Sequence, residues 1–557
     1  MSNPASAGVT SFSLLDEPWI PVHGANGARE LSLLEVFAES AQVQQVTGEV
    51  PTQTFATMRL LLAITRRALG TDLVDEESWA ELWNGGFPAA RVSAYLEAHR
   101  DRFDLLDQVA PFYQAPGVHT AKHEMKDLTP LLFDVPSNNR LFTTRSGRSL
   151  ERISYAEAAR WLVHAQAFDI SGIKSGLVGD DRVRGGRGYP IGTGWAGAIG
   201  GVLVEGGSLS ETLLLNLKAM PEEIVAFDLA PWEREPDSAA ARRNAQPRGP
   251  VDLLTWQARR IRLVHDGAWV TGCVLGNGDP IAPQNQFKFE HMTAWRYSEP
   301  QSKKFGHAVF MPRGYQDGRA LWRGVNGLMA RQLPAPGGKD GPRGFAPGVL
   351  EWIAELQEKD LLPIEQRVAV RALGVLYGSQ SSVVSEIFDD TVFLPLVALD
   401  EQGETQLAAA VKSAVAATDA AIRSYGHLAR NLALAAGSSR DESAGPQEAA
   451  QAEGYAAVDH AFRDWLAGLD PKQDPVEQAD TWKWSARKIL RGLGGHQINS
   501  AAPRAWTGRT VDLGMGGGVT FLCTSIAESK FQLALELALA PIGRPADMTE
   551  SNTGGTE

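Results

Sequence analysis

Residue types able to do chemistry are plentiful in this chain, but few stand at spacings that a reaction needs. Gly192, Gly194 and Gly197 spell GxGxxG. A dinucleotide fingerprint must follow a strand and open a helix. Here the preceding stretch is rich in Gly and Pro, and Trp195 and Ala196 lead into the more strand-like AIGGVLV, so the context fails. His265 and Asp266 form an HD pair of the kind used by metal-dependent phosphohydrolases, yet no second His/Asp set stands at useful spacing. A strand end entering a turn is the bland reading. A metal-dependent nuclease or phosphohydrolase built on that pair is kept as the enzymatic alternative, and it would need further ligands converging there. The eleven histidines form no HExxH, and GxSxG and Walker loops are absent. Cys273 and Cys523 are the only cysteines, so no short window holds the four ligands of a closed zinc site. No metal and no cofactor are expected.

Basic and aromatic residues cluster twice. In TWKWSARKILRGLG, Lys483, Arg487, Lys488 and Arg491 recur at helical spacing and can share a face that meets phosphates or partner subunits. The competing reading is a solvated helix face. In QFKFEHMTAWRYSEPQSKKFGH, Lys288, Arg296, Lys303 and Lys304 interleave with Phe287, Phe289, Trp295, Tyr297 and Phe305. That suits a nucleic-acid surface, and an amphipathic hairpin with its aromatics in the core explains it nearly as well.

These residues must be positioned by a chain of 557 residues, long enough for a few domains. LSLLEVFAES, TFATMRLLLAITRRALG, ESWAELW and AARVSAYLEAHRDRFDLL carry helical periodicity, so the first hundred residues read as helical. VPSNNRLFTTRSGR reads as an exposed loop, YAEAARWLVHAQAF as a helix, and DISGIKSGLVGDDRVRGGRGYPIGTG as irregular because of its glycines. ARRIRLVHDG and WVTGCVL suggest strands. After the polar break LDEQGE, four helix-like segments follow and fit an antiparallel bundle. The expected class is therefore α+β: a mixed domain over 1–400, a C-terminal four-helix bundle over 401–545 and a disordered tail over 546–557.

No apolar run is long enough to span a membrane, and the N-terminus lacks a secretory pattern, so a cytoplasmic location without membrane partners is expected. The net charge of −13 opposes independent nucleic-acid binding. A subunit held on a larger assembly needs only local basic patches, however, because its partners raise its effective concentration.

SFSLLDEPWIPV, with Leu14, Leu15, Trp19, Ile20, Pro21 and Val22, resembles the opening of the CasA family, the large subunits of type I-E CRISPR Cascade complexes. PFYQ at 111–114, the Asn/Arg loop, IKSGL followed by RGG, ETLLLNL, the WQ of LTWQARRIRL and the helical C-terminus agree in order. The resemblance implies a non-catalytic subunit beside the 5′ handle of a guide CRISPR RNA. Such a subunit recognises the protospacer-adjacent motif (PAM) of double-stranded target DNA from the minor groove and starts unwinding for R-loop formation. It contacts other Cascade subunits and helps recruit a helicase-nuclease. By position, the family's glycine loop falls on Ser171, Gly172 and Lys174, its minor-groove lysine near Lys288, and its glutamine wedge on Ser379, Gln380 and Ser381. The loop touching the RNA handle and a neighbouring subunit falls on Asn138, Asn139, Arg140, Phe142 and Arg145. Two departures stand out: the Cys-rich knuckle of some members is missing, and the glycine loop has fewer consecutive glycines. A purely structural scaffold subunit is the third reading.

Overall fold

The computed structural model describes residues 9–135, 145, 147–316, 318–324, 332–333, 343–363, 365–399, 406–512 and 518–541. Two compact units are distinguished. The first comprises Met1–Leu321, Ala330–Pro363 and Val368–Thr391; the second comprises Trp322–Met329, Ile364–Arg367 and Val392–Glu557. The class is α+β, as expected.

The first unit opens on a sheet, not on helices alone. β1 (Ile20–Gly24), β2 (Gly27–Leu31) and β3 (Val43–Val46) pair antiparallel in the order β2-β1-β3. The wholly helical reading of this region is thereby corrected. These strands are short, and β2 has one buried residue in five, so they carry no visible apolar alternation. The helices that follow match their periodicity: α1 (Leu33–Ala38), α2 (Pro51–Leu69), α3 (Glu76–Gly85) and α4 (Ala89–Ala98). α1 starts on a capping box in which Ser32 and Glu35 satisfy each other's amides. α2 starts with Pro at its first position, where no amide donor is needed.

α2 is buried along nearly its whole length, polar residues included. Burying Arg59 requires a full set of partners. Glu290 supplies a two-pronged ion pair at 2.9 and 3.1 Å, and the Leu253 carbonyl accepts a further bond. Trp195 Nε1 donates to the same Glu290 carboxylate at 2.6 Å, so one buried charge pair ties three distant stretches of chain together.

α5 (Tyr155–Phe168), capped by the Ser154 side chain, packs against α2. Beyond it come the two-residue strands β4 (Lys174–Ser175) and β5 (Arg187–Gly188), then β6 (Gly201–Glu205) and the β7 (Arg259–His265) and β8 (Val270–Asn277) hairpin. β9 (Arg367–Tyr377) and β10 (Val384–Pro395) complete a sheet in the order β10-β9-β6.

The second unit is a bundle of α6 (Leu407–Ala436), α7 (Ala444–Ala467), α8 (Pro475–Asn499) and α9 (Thr524–Ala538), with α6 packed against the other three. Trp482 and Phe462 meet edge to face in its core, and Trp482 Nε1 donates to Thr418 Oγ1 at 2.8 Å. Gly494 sets how closely α8 and α9 approach, since a Cβ there would lie 2.2 Å from the Phe531 ring.

Candidate nucleic-acid interface

The stretch after α5 is organised by Asp169, which leaves the helix with ψ 139° and turns its carboxylate inward. Oδ2 receives Lys174 Nζ at 2.6 Å and also Arg259 Nε. Arg259 is 1% exposed and donates to the carbonyls of Ile170 at 3.1 Å and Gly192 at 2.8 Å. Burial alone would raise the Asp169 pKa, but the Lys174 and Arg259 charges overcome it and hold the carboxyl below the usual carboxylate range. Burial lowers the Lys174 pKa, and Asp169 opposes that shift. Lys174 is thus engaged in an internal ion pair, which departs from the expected groove contact.

Ser171 and Gly172 lie on the loop that this cluster ties down. A side chain at Gly172 would meet nothing within 4 Å, so the loop surface there is open. Gly176 is different, because a Cβ would come 2.5 Å from the backbone of Gly186. Gly185 and Gly186, at φ 59° and 72°, turn the chain between β4 and β5.

β9 and β10 form a hairpin whose tip is the turn Ser379–Ser381. Gln380 and Ser381 both have φ 54°, a left-handed conformation uncommon for residues with a side chain. Gly378 N–H to Val383 O at 2.9 Å and Ser381 N–H to Gly378 O at 3.0 Å hold the turn. Gln380 is exposed.

The two segments meet. Ser171 N–H donates to Ser381 O at 2.9 Å, and Tyr377 Oη donates to Phe168 O at 2.7 Å, so the hairpin is bonded to both the loop and the end of α5. A cleft of about 1200 Å³ runs alongside, walled by Ile170–Gly176, Gly185–Arg187, Ser382 and Val384, with Thr120–Lys122 and Glu124–Asp127 lining it as well.

The other expected contacts are placed differently. Lys288 is exposed on the turn Gln286–Lys288, and no hydrogen bond or ion pair joins its side chain to the loop or the hairpin tip. Asn138, Asn139, Arg140 and Phe142 lie outside the described residues. Arg145 is 8% exposed and pairs with Asp134 at 2.9 Å, with Glu157 at 2.5 Å and with Glu49, over the Trp161 ring. It departs from the expected RNA contact because three carboxylates already surround it.

The proposed basic face of the bundle is also mostly spent internally. Lys483 is buried and donates to Ala540 O at 3.2 Å; Arg487 reaches Leu539 O and Glu536; Arg491 pairs with Glu536 at 2.5 Å. Lys488 is exposed over the Trp484 ring. Phe287 packs on Trp295, Phe310 and Phe345, which supports the core-hairpin reading of that aromatic run. The Asp266 carboxylate accepts the Ala268 and Trp269 amides, and His265 lies 3.4 Å from Tyr155 Oη. Among the described residues no three His, Cys, Asp or Glu side chains gather as a metal site.

Sequence reasoning overlooked Arg259 and Tyr377. Nothing in WQARRIRL distinguishes an arginine that will be buried against residues ninety positions away.

The fold and site thus define an α+β protein whose candidate contacts lie on a bonded loop and hairpin tip. Residues 13–493 match the family model for CRISPR-associated protein Cse1, and the chain belongs to that family. Cse1 of Thermobifida fusca is 40% identical, with a TM-score of 0.85 over 95% of this chain and 98% of that one. CasA/Cse1 of Thermus thermophilus is 28% identical over 523 residues, covering 88% of this chain and 95% of the relative. A chain of a CRISPR RNA-guided surveillance complex, 18% identical, shares the fold with a TM-score of 0.66 over 94% of this chain and 99% of that one.

Proposed function

We propose that this chain is the non-catalytic large subunit of a cytoplasmic type I-E Cascade. In that reading it detects the protospacer-adjacent motif from the minor groove, begins duplex unwinding, contacts the guide RNA handle and its neighbouring subunits, and helps recruit a helicase-nuclease. One observation carries the reading: the Ser171–Ser381 hydrogen bond sets an open glycine-bearing loop beside an exposed glutamine on a strained turn. Family membership and the fold shared with a surveillance-complex chain support it.

The physics is coherent. Guide pairing supplies most sequence specificity, and R-loop formation is nearly balanced, so protein contacts need only detect a short signal and tip the exchange. Minor-groove readout is degenerate, so several related motifs are tolerated. Gln380 offers a donor and an acceptor to an opened base step.

The test uses the assembled complex, with and without this chain, on duplexes differing only beside the target. Motif-dependent capture that needs the chain is expected. Gln380→Ala should slow opening of a paired duplex by roughly tenfold, a fraction of the few kcal/mol that unstacking costs, and scarcely affect a target whose first pairs are mismatched. Equal slowing on both substrates would give the residue a general structural role instead.

A further inference from the structure

Behind the hairpin tip lies a second cavity that the reading above does not use. It measures about 450 Å³, within the roughly 300–1000 Å³ range that holds small ligands. Ser171 and Ser381, the two residues joined between loop and tip, both line it. It therefore borders both the loop and the hairpin tip to which the proposed function assigns duplex opening.

Its lining is suited to a flat, partly polar ring. Trp195, Tyr315, Tyr377 and Phe388 are among the lining residues, and the Tyr315 and Phe388 rings stack at 4.4 Å and 13°. The tyrosine hydroxyls are already used, Tyr315 on Gly201 O at 2.7 Å and Tyr377 on Phe168 O. Their ring carbons are what remain for a guest. Glycines let the two tyrosines pack closely as its walls: a Cβ at Gly197 would lie 2.2 Å from the Tyr377 hydroxyl, and one at Gly374 would lie 3.2 Å from the Tyr315 ring. The hydroxyls of Ser171, Thr193 and Ser381 make no hydrogen bond within the described residues, so three short donor-acceptors border an aromatic space.

We propose that this pocket receives an unpaired nucleobase, the displaced-strand base of the first target pair. The inference rests on the duplex-opening reading. When that pair separates, the target-strand base regains a partner on the guide, but its former partner does not. Aromatic stacking compensates an extruded base without regard to its identity, and hydroxyls meet its edge. The pocket thus holds open the pair that Gln380 separates.

The test is again made in the assembled complex. Ala198 is exposed on the pocket wall, so Ala198→Trp blocks the space at little cost to folding. Opening of a paired target should slow by about tenfold, the scale of one lost base–aromatic stack. The slowing should vanish when the displaced strand carries an abasic site at its first position. An abasic site on the target strand instead should leave the slowing in place. Thr193→Trp blocks the same pocket from another lining residue and should repeat the pattern.

A measurement without any variant complements these. 2-Aminopurine at the first displaced position should be quenched by the aromatic lining in the open complex. A base that stays as bright as in single-stranded DNA would overturn the proposal, as would equal slowing of normal and abasic targets. If Gln380→Ala leaves opening unchanged, the opening reading itself fails. If Gln380→Ala slows opening while the blocked pocket makes no difference between substrates, the pocket inference alone fails.

Discussion

His164 sits on α5 with no exposed surface, among the rings of Phe133, Trp161 and Phe168. Its Nε2 lies 2.9 Å from Thr52 Oγ1, and Nδ1 has no hydrogen-bond partner. Burial disfavours the charged ring and pushes its pKa down to about 3 from 6.5. Between those values the unfolded chain binds a proton that the folded chain refuses. Stability is therefore fully present above about pH 6.5 and is lost as pH falls toward 3. Thermal unfolding of the chain should show a lower Tm at about pH 5 than at about pH 7, and His164→Phe should flatten that difference. An unchanged slope in the variant would move the acid sensitivity to other groups. The same burial logic explains why the internal ion pairs of Lys174 and Arg145 could not be read from sequence. Charge type is visible in a sequence, but whether a charge faces water or a distant carboxylate is decided by packing, as Asp169 and Glu49 decide it here.

At the scale of elements, periodic segments were legible and short ones were not. YAEAARWLVHAQAF is α5 to the residue, and the strand readings fall on β7 and β8, because burial on one face leaves a repeating pattern. β1 to β3 and the two-residue β4 and β5 hold too few residues for any period. The loop and hairpin tip could be placed only through family resemblance, since their closeness depends on hydrogen bonds between residues some two hundred positions apart. The basic stripe of α8 shows that periodicity gives the element but not the partners of its side chains. Helical spacing does put Lys483, Arg487 and Arg491 on one side, but that side meets α9 and the chain just after it. Lys483→Ala removes a buried ammonium together with its charge-assisted bond to the Ala540 carbonyl and should destabilise the bundle by about 1–3 kcal/mol, seen as a lower unfolding midpoint. Lys488→Ala should leave the midpoint unchanged. A stable Lys483→Ala protein with weakened DNA capture would restore the nucleic-acid role for this face.

For the whole molecule the governing fact is charge. At −13 the chain repels a polyanion at long range, and of the four cations lining the cleft Lys174 is paired with Asp169 and Lys122 lies 3.7 Å from Glu124, which leaves the exposed Lys126 and Arg187. Few phosphates can be neutralised by such a surface, and each phosphate contact supplies about one unit of salt slope. Local readout must then be supplied with affinity from elsewhere. In the proposed role, partners that hold the chain against DNA would do this by effective concentration, turning a weak second contact into an intramolecular one. The isolated chain should therefore capture a motif-bearing duplex far less well than the assembled complex at physiological salt, with a shallow dependence on ionic strength. Adding the chain back to a complex lacking it should restore motif discrimination without greatly steepening that dependence. Titrations of both across salt concentrations check this. An isolated chain that binds duplex as tightly as the assembly would show that the chain's own cations carry the affinity, and the dependence on partners would fall.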